Sequence, residues 1–579
     1  MSSDNENDYF CDGLTEEIIN ALAKINGLKV TSRTSSFFFK NKDVSVTKIG
    51  KELNVSTILE GSVRLSQDKI RITAQLIEVQ SDFHFWSETW DRKLEDIFAV
   101  QDEISLLIAD KIRENFGHFE VQDHLVPNQT DYIEAYRYYL KGNYHSQKMN
   151  PEDIELSKAY YLKALEIDPE HAQSNSGLSQ YYYTMAILGF LPKAEAFEKA
   201  ASLANRALKL NSQLAEAHVG IAIISYWYLW DLKKSITHLN KALEVNSSFV
   251  NIYIQLAFNY CSLKMFKKAL KHVEIAIGLD PLSSEVYFLK GYVQYIMEEY
   301  EASIKALDIC LERNPTNLLA ITIKASCWLM QKKEYLVIDF FTSDLPATID
   351  LSSKYGMLGI AHARLKDSDK TEYYKELLIT EIKNSKGERA EFFMLLIWIH
   401  SGEKTKALNR LKETIKAKST LALILFCDPL LNPIKQELLY KEIDNKLFSS
   451  TFLLAENKVK RKELLTQQQI NKYTEKLISY ISEESPYLNP DLNLKNLAVR
   501  LDIHPNQLSW LINHEFNKNF NGFINHYRVE AFKRISKDPK NSHITLIGLA
   551  YDSGFNSKTV FNTFFKKETG MTPMQYLKL

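Results

Sequence analysis

The sequence predicts a mainly α-helical chain: a small amino-terminal α+β domain, an α-solenoid, and an all-α carboxy-terminal domain of two helix-turn-helix units. Three observations carry this. Lys69–Val79 alternates, with Ile70, Ile72, Ala74 and Leu76 on one side and Arg71, Thr73 and Gln75 on the other, the period of a half-buried strand. A block ending in Asp-Pro, Asn-Pro or Asn-Ser returns through the middle of the chain at intervals of 34 or 35 residues. Near the end, two units pair a small residue with a turn residue four places on. The 19 Gly and 14 Pro are few for 579 residues and the 30 Tyr and 30 Phe many, as expected of long helices with aromatic cores.

In the first segment, 1–119, Leu14, Ile18, Leu22 and Ile25 fall on one helical face. Glu16 and Glu17 are placed in the first turn, where the helix dipole favours them. Leu28–Thr31 and Thr57–Leu65 read as strands, and Ser66–Asp68 as the hairpin turn before the strand Lys69–Val79. Further helices are expected over Val46–Leu53 and Leu94–Asn115. Trp86, Trp90 and Arg92 could form a ligand site, but aromatics beside a strand end are usually core, and Trp86 and Trp90 are read so.

This segment resembles the TolB-like domain found beside tetratricopeptide arrays in bacterial regulators. The resemblance rests on Asp12-Gly13-Leu14-Thr15-Glu16-Glu17, Val30-Thr31-Ser32-Arg33-Thr34-Ser35, Leu59-Glu60-Gly61-Ser62-Val63-Arg64, Ile72-Thr73-Ala74-Gln75-Leu76 and Trp86-Ser87-Glu88-Thr89-Trp90-Asp91-Arg92. It implies a sensory or assembly module and supplies no ligand. Members of that family begin with an apolar strand ahead of the Met-Ser-Ser-Asp stretch. Either the natural start lies upstream or the sheet lacks a strand, exposing an edge beside Leu28–Thr31 or Lys69–Val79 that another segment or subunit covers.

The second segment, 131–417, is repetitive. Ala164–Pro169, Ala276–Pro281 and Cys310–Pro315 end alike, and Ala207–Ser212 and Ala242–Ser247 share the ending without proline. A 34-residue helix-turn-helix period is that of the tetratricopeptide repeat (TPR). Ala257, Tyr260, Ala269 and Ala276 stand where small and aromatic residues interlock two helices, with Gly291 at the place of Ala257 one repeat later. The longer step between Pro169 and Ser212 marks an insertion in a helix or its turn. After Pro315 the helical pattern persists through Tyr373–Ile382 and Ala407–Lys416 while the signature decays. Stacked repeats leave a groove, read as a surface for a protein partner or for self-association, with a rigid spacer as the alternative. Tyr181–Tyr183 and Tyr226–Tyr228 are candidates for that groove or for the core between repeats.

A helical connector, 418–469, contains the turn-rich Cys427–Pro433 and the basic run Lys458–Lys462. The last domain, 470–579, holds the paired units. Ala498 with Asp502 and Ala550 with Gly554 supply the small residue at the helix crossing and the turn residue. Leu508 and Ile512 then bury the second helix of the first unit, Phe561 and Phe565 that of the second. The amphipathic stretch Phe523–Ile535 joins them.

Leu488–Leu579 resembles the AraC-type DNA-binding domain. Gly554–Lys558, Phe564–Pro573 and Tyr576 match its closing signature, Pro505–Ser509 its first recognition helix and Tyr527–Glu530 its linker helix. The resemblance implies that both second helices enter successive major grooves of double-stranded DNA at promoter sites. It presents Asn506, Gln507, Ser509, Trp510 and Asn513 from the first helix and Lys558, Thr559, Asn562, Thr563 and Lys566 from the second, with Ser557 on phosphate. Asn and Gln pair with adenine, Lys reaches guanine, and Thr touches the thymine methyl. Trp510 and Thr563 stand where many relatives carry arginine; for Trp510 a packing role is the alternative. Asp502 replaces the usual glycine and strains the first turn.

Charge agrees with this division. The chain holds 71 Lys+Arg against 72 Asp+Glu, yet Pro486–Leu579 alone has an excess of five positive charges, the mark of a polyanion-binding end. Cys11, Cys261, Cys310, Cys327 and Cys427 are scattered, without CxxC spacing, which predicts free thiols in a reducing compartment. The polar start has no signal-peptide pattern, and Phe392–Ile399 and Leu421–Cys427 are too short to span a membrane, so a cytoplasmic protein with no membrane partner is expected. No P-loop, HExxH or GxSxG motif occurs, and the cyclase domain that accompanies the amino-terminal module in some relatives is absent. The expectation is a non-enzymatic, bacterial, sequence-specific transcription regulator without cofactor or metal, with RNA polymerase a further candidate partner. The alternative is a TPR scaffold whose tail binds DNA non-specifically as an anchor.

Overall fold

The computed structural model of the protein describes residues 8–66, 69–148, 150–343, 349–384, 388–419, 422–448, 464–541 and 543–578. The expected turn beyond Ser66, the basic run Lys458–Lys462 and the opening Met-Ser-Ser-Asp lie outside them. The chain forms two compact units. The first comprises Met1–Lys24, Lys29–Ile97 and Asn128–Leu454; the second comprises Ile25–Leu28, Phe98–Pro127 and Ala455–Leu579. The architecture is mainly α, with one small sheet among the described residues.

In the first unit, α1 (Asp8–Ala23) buries Leu14, Ile18 and Leu22 as the spacing predicts. It begins two turns earlier than expected, so Glu16 and Glu17 stand mid-helix and do not complement its dipole. They face the repeat array instead. Gln147 Nε2 donates to both Glu16 oxygens (2.8 Å), and Gln129 Nε2 donates to Glu17 Oε2 (2.8 Å). Burial pushes the Glu17 carboxyl up to about 7, although the Gln129 hydrogen bond opposes it. Below about pH 4.5 the folded and unfolded chains both keep this proton. Between there and about 7 only the unfolded chain releases it, so stability falls as pH rises and levels off above. The difference between Glu17→Gln and wild type in urea melts is expected to grow across this window to at most about 3 kcal/mol.

The run Leu28–Thr31 is not a strand. It leads to Ser32, which donates its N–H to Leu279 O (2.8 Å) and caps the short helix α2 (Arg33–Phe37). Helix α3 (Val46–Leu53) is as expected. Strands β1 (Thr57–Ser66), β2 (Lys69–Glu78) and β3 (Phe83–Lys93) pair antiparallel in that order, with Val63 opposite Ile72 and Ile72 opposite Trp90. The alternating stretch is thus the middle strand, and the sheet's edges are β1 and β3. Trp86 and Trp90 lie within a strand, not beside one. Trp90 is buried as predicted, with Trp86 tilted against it at 5.9 Å.

The array comprises eight consecutive helix pairs among the described residues. They are α5 (Ile133–Ser146) with α6 (Pro151–Ile167), α7 (Ala172–Ile187) with α8 (Lys193–Leu210), α9 (Ala215–Ile224) with α10 (Leu232–Val245), and α11 (Val250–Ser262) with α12 (Phe266–Leu279). Then follow α13 (Ser284–Ile296) with α14 (Tyr300–Arg313), α15 (Leu318–Met330) with α16 (Glu334–Thr342), α17 (Leu351–Arg364) with α18 (Ser368–Asn384), and α19 (Arg389–His400) with α20 (Lys404–Lys416). The preceding helix, α4 (Ile97–Phe116), belongs to the second unit apart from its first residue.

The repeated Asx endings have a mechanism. Asp168, Asn211, Asn246 and Asn314 each cap a second helix, and each side-chain oxygen accepts the N–H two residues on, at 2.9–3.3 Å. At Asp280 a different segment completes the turn. The Ser35 hydroxyl donates to Asp280 Oδ1, and its oxygen accepts the N–H of Leu282 (2.9 Å). The extra residues before Ser212 lie in the long α7 and α8 and the linking turn at 188–192.

Ala257, Ala269 and Ala276 are fully buried at the interlocking positions, and a Cβ on Gly291 would stand 2.5 Å from Leu307. Tyr181–Tyr183 and Tyr226 are buried; Tyr226 shares a hydrogen bond with Ser262 (2.8 Å). The turn between the helices of a pair uses a left-handed residue. Lys264, Glu298, Lys332 and Lys366 recur at 34-residue spacing with φ from 57° to 63°, and Gly402 (φ 91°) follows. The period therefore persists beyond Pro315. The array is followed by α21 (Ala422–Leu425), a 3₁₀ turn at Pro429–Ile434 and α22 (Leu438–Phe448).

In the second unit, α23 (Gln467–Glu484) starts at a Thr466–Gln469 capping box. Next come α24 (Leu494–Leu501), α25 (Pro505–Phe516), α26 (Phe520–Ile535), α27 (Leu546–Asp552), α28 (Lys558–Thr569) and α29 (Pro573–Tyr576). Two small cores share α26. Its Phe520, Phe523 and Ile524 join Leu497, Ala498, Leu508 and Ile512, while its Val529 and Phe532 join Ala550, Phe555, Phe561 and Phe565.

Candidate functional site

The second helix-turn-helix unit, the second head, is built as the spacing predicts. Thr545 caps α27, and Gly554 (φ 90°) turns the chain toward α28. Ser557 caps α28, its hydroxyl accepting the N–H of Val560 (3.5 Å). Buried Phe561 and Phe565 fix one face of α28, so Lys558, Thr559, Thr563 and Lys566 are exposed on the rest and Asn562 and Ser557 are half-buried. Glu568 near the end of α28 accepts from Lys518 Nζ (3.1 Å) and His526 Nδ1 (2.6 Å), which ties the helix to the start of α26. Burial alone would raise the Glu568 carboxyl, but these two partners hold it below its ordinary value.

The two heads are joined by Arg528 on α26. Its buried guanidinium donates to Tyr487 O (2.8 Å), Asn489 O (2.9 Å) and Asn525 Oδ1 (3.2 Å), and burial lowers its pKa to about 10. The linker motif Tyr527–Glu530 thus holds the loop before α24 with a charged side chain that carries no direct role at the surface.

The first head departs from expectation. Helices α23, α24 and α26 all pack on α25. Ser509, expected to point outward, is buried as a result. Gln507 completes a capping box, its Oε1 accepting the N–H of His504 (3.2 Å). Trp510 is half-buried and stacks on His514 at 4.4 Å, the packing arrangement that was its alternative. Asn506 is half-buried and engaged at both its oxygen and its nitrogen. Its Oδ1 accepts from Arg113 Nη1 and from the N–H of Val121 (3.1 Å), and its Nδ2 donates to Val121 O (3.0 Å). Asn513 lies beside Gly117, where a Cβ would come within 3.3 Å of its Nδ2.

The turn of the first unit carries the strain the sequence implies. Asp502 sits at φ 56°, ψ 49°, and its N–H bonds back to Ala498 and Val499. Asp tolerates this region only moderately, and Gly freely, so Asp502→Gly is expected to stabilise the second unit by about 0.5–1 kcal/mol, read as a higher urea midpoint. A lower midpoint would show that the Asp side chain stabilises the turn.

The five cysteines are free thiols, and among the described residues no group of three or more His, Cys, Asp or Glu is placed to hold a metal ion. Among the same residues no helix is long and apolar enough to cross a membrane.

Comparison with known proteins agrees with this geometry in part. A family model described as "Helix-turn-helix domain" matches residues 497–579, and one described as "Tetratricopeptide repeat" matches 135–171 and 284–317. "Putative adenylate cyclase 3" of Rhizobium meliloti (strain 1021) is 34% identical over 232 residues, 39% of this chain and 39% of that protein. TPR repeat-containing protein MJ1428 of Methanocaldococcus jannaschii is 31% identical over 183 residues, 30% of this chain and 31% of that protein. The chain therefore spans well under half the length of either relative. Among solved structures, YrrB, a TPR protein with an unusual peptide-binding site, is 21% identical and covers 33% of this chain and 91% of its own, with a TM-score of 0.24. The chain carries tetratricopeptide repeats and, at its carboxy terminus, an AraC-type helix-turn-helix domain.

Proposed function

We propose that the protein is a sequence-specific DNA-binding transcription regulator that acts in the cytoplasm without enzymatic activity, and that its repeats recruit a protein partner. The observation that carries this is α28. A rigid phenylalanine core presents Lys558, Thr559, Asn562, Thr563 and Lys566 along one solvent-facing strip of a helix capped by Ser557. Such a helix fits a major groove, where Asn pairs with adenine and Lys with guanine. The TolB-like segment serves in sensing or assembly, and RNA polymerase is a candidate partner on the promoter. The activity in the name of the Rhizobium relative is said of that protein alone, which this chain matches over 39% of its length.

Lys558→Ala and Asn562→Ala are each expected to cost about 1–3 kcal/mol in binding to a selected site and to relax preference at one base position. Titrating both variants against selected and random duplex tests this. Equal losses on the two duplexes would show phosphate contact only, and would favour the reading of the tail as a non-specific anchor.

A further inference from the structure

The first reading head is covered by a segment from the amino-terminal part of the chain. Helix α4 ends at Phe116, and Gly117 (φ 119°) turns the backbone off its end. The following stretch is tied down by Asp102, whose Oδ1 accepts the N–H groups of Leu125 (2.6 Å) and Val126 (2.9 Å) and whose Oδ2 pairs with His124 (2.7 Å). Phe119, Val121, Leu125 and Val126 are buried, so this is a packed segment with one backbone path.

We propose that this segment, Arg113–Asp123, masks the first recognition helix and competes with DNA for it. The proposal rests on the DNA-binding reading given above. The contacts it makes argue for competition. The Val121 backbone offers the Asn506 amide a donor to its oxygen and an acceptor for its nitrogen, the pattern that N6 and N7 of adenine present in the major groove. Asn506 cannot serve both at once. The Arg113 guanidinium, which is buried, takes the remaining capacity of the same oxygen. Carboxylates stand where an anionic backbone would be drawn. Glu114 Oε1 accepts the N–H of Leu494 (3.0 Å) at the start of α24, and Asp123 lies 3.9 Å from Nε2 of His504, the cap of α25. The Asn115 carbonyl and side-chain oxygen occupy Asn519 and Asn521 at the start of α26. The second head has no such cover among the described residues, and its Lys558, Thr559, Thr563 and Lys566 are exposed.

The test uses the full chain. Arg113→Ala with Val121→Pro removes the guanidinium and the N–H that hold Asn506 and leaves every residue of the reading helices in place. The opened chain is expected to bind a selected duplex at least tenfold more tightly than wild type, with Lys558→Ala weakening both chains alike. Because these substitutions could disturb folding, amide exchange on the unaltered chain supplies a second reading. On adding duplex, Val121 and its neighbours from 113 to 123 should lose protection while α28 gains it. If the opened chain binds no tighter and exchange at Val121 is unchanged while α28 is protected, the mask is overturned and the reading of α28 stands. If neither chain binds duplex, both proposals fall.

Discussion

Gly554→Ala is expected to destabilise the carboxy-terminal domain by about 3–8 kcal/mol. Gly554 is left-handed, which costs an L-residue about 1–2 kcal/mol. The new Cβ would stand 2.2 Å from Tyr487 O and 2.8 Å from Leu488 Cα, backbone atoms that cannot rotate aside. Overpacking of that kind adds about 1–3 kcal/mol. The displaced carbonyl is also the one that Arg528 Nε holds at 2.8 Å, so a buried guanidinium loses a partner, for about another 1–3 kcal/mol. Gly570→Ala is the control. Gly570 is left-handed too (φ 76°) but has nothing within 4 Å of its missing Cβ, so only the conformational cost of about 1–2 kcal/mol is expected. Urea unfolding followed through amide exchange of α26 separates the two. Equal losses would mean that the close approach of Tyr487 and Leu488 carries no weight.

Ala276→Trp should unfold the central array. Ala276 is fully buried among Ala257, Ala269, Val273, Val286 and Leu289, and an indole cannot enter without parting α12 from its neighbours. Overpacking by a ring exceeds the ~1–3 kcal/mol of an added methylene, and each repeat is stable only against adjacent repeats, so the loss propagates. The repeat ends at Asp280, which holds Ser35, so the α2 segment should be released with it. Circular dichroism should show lost helix, and limited proteolysis should cut first around 250–315. An unchanged melt would mean that these repeats are not interlocked through Ala276.

Legibility in the sequence followed from where each constraint is written. The repeats could be read as far as Pro315 because an Asx residue ends each of these second helices and its side chain is hydrogen-bonded in the turn that follows, a chemistry that needs a particular residue. Beyond it the period is kept by a backbone angle, and Lys332 and Lys366 adopt it without any residue-type signature. Strand β3 was missed because only Trp90 of its eleven residues is buried, so no two-residue alternation is imprinted. Helix α2 has five residues, too few for periodicity. In the candidate site, α28 could be read because its apolar face meets local core and its polar face meets solvent. The cover on α25 could not: Asn506 is held by Arg113, 393 positions away, and nothing local to Pro505–Phe516 records it.

On this reading α28 reads base sequence. Selection of duplexes by the full chain from a random pool at roughly physiological salt, followed by sequencing, tests it most directly. The account predicts one recurring site, with preference at the bases served by Lys558 and Asn562 lost in the matching alanine variants. A bound pool as random as the input, with affinity set by salt alone, would contradict it.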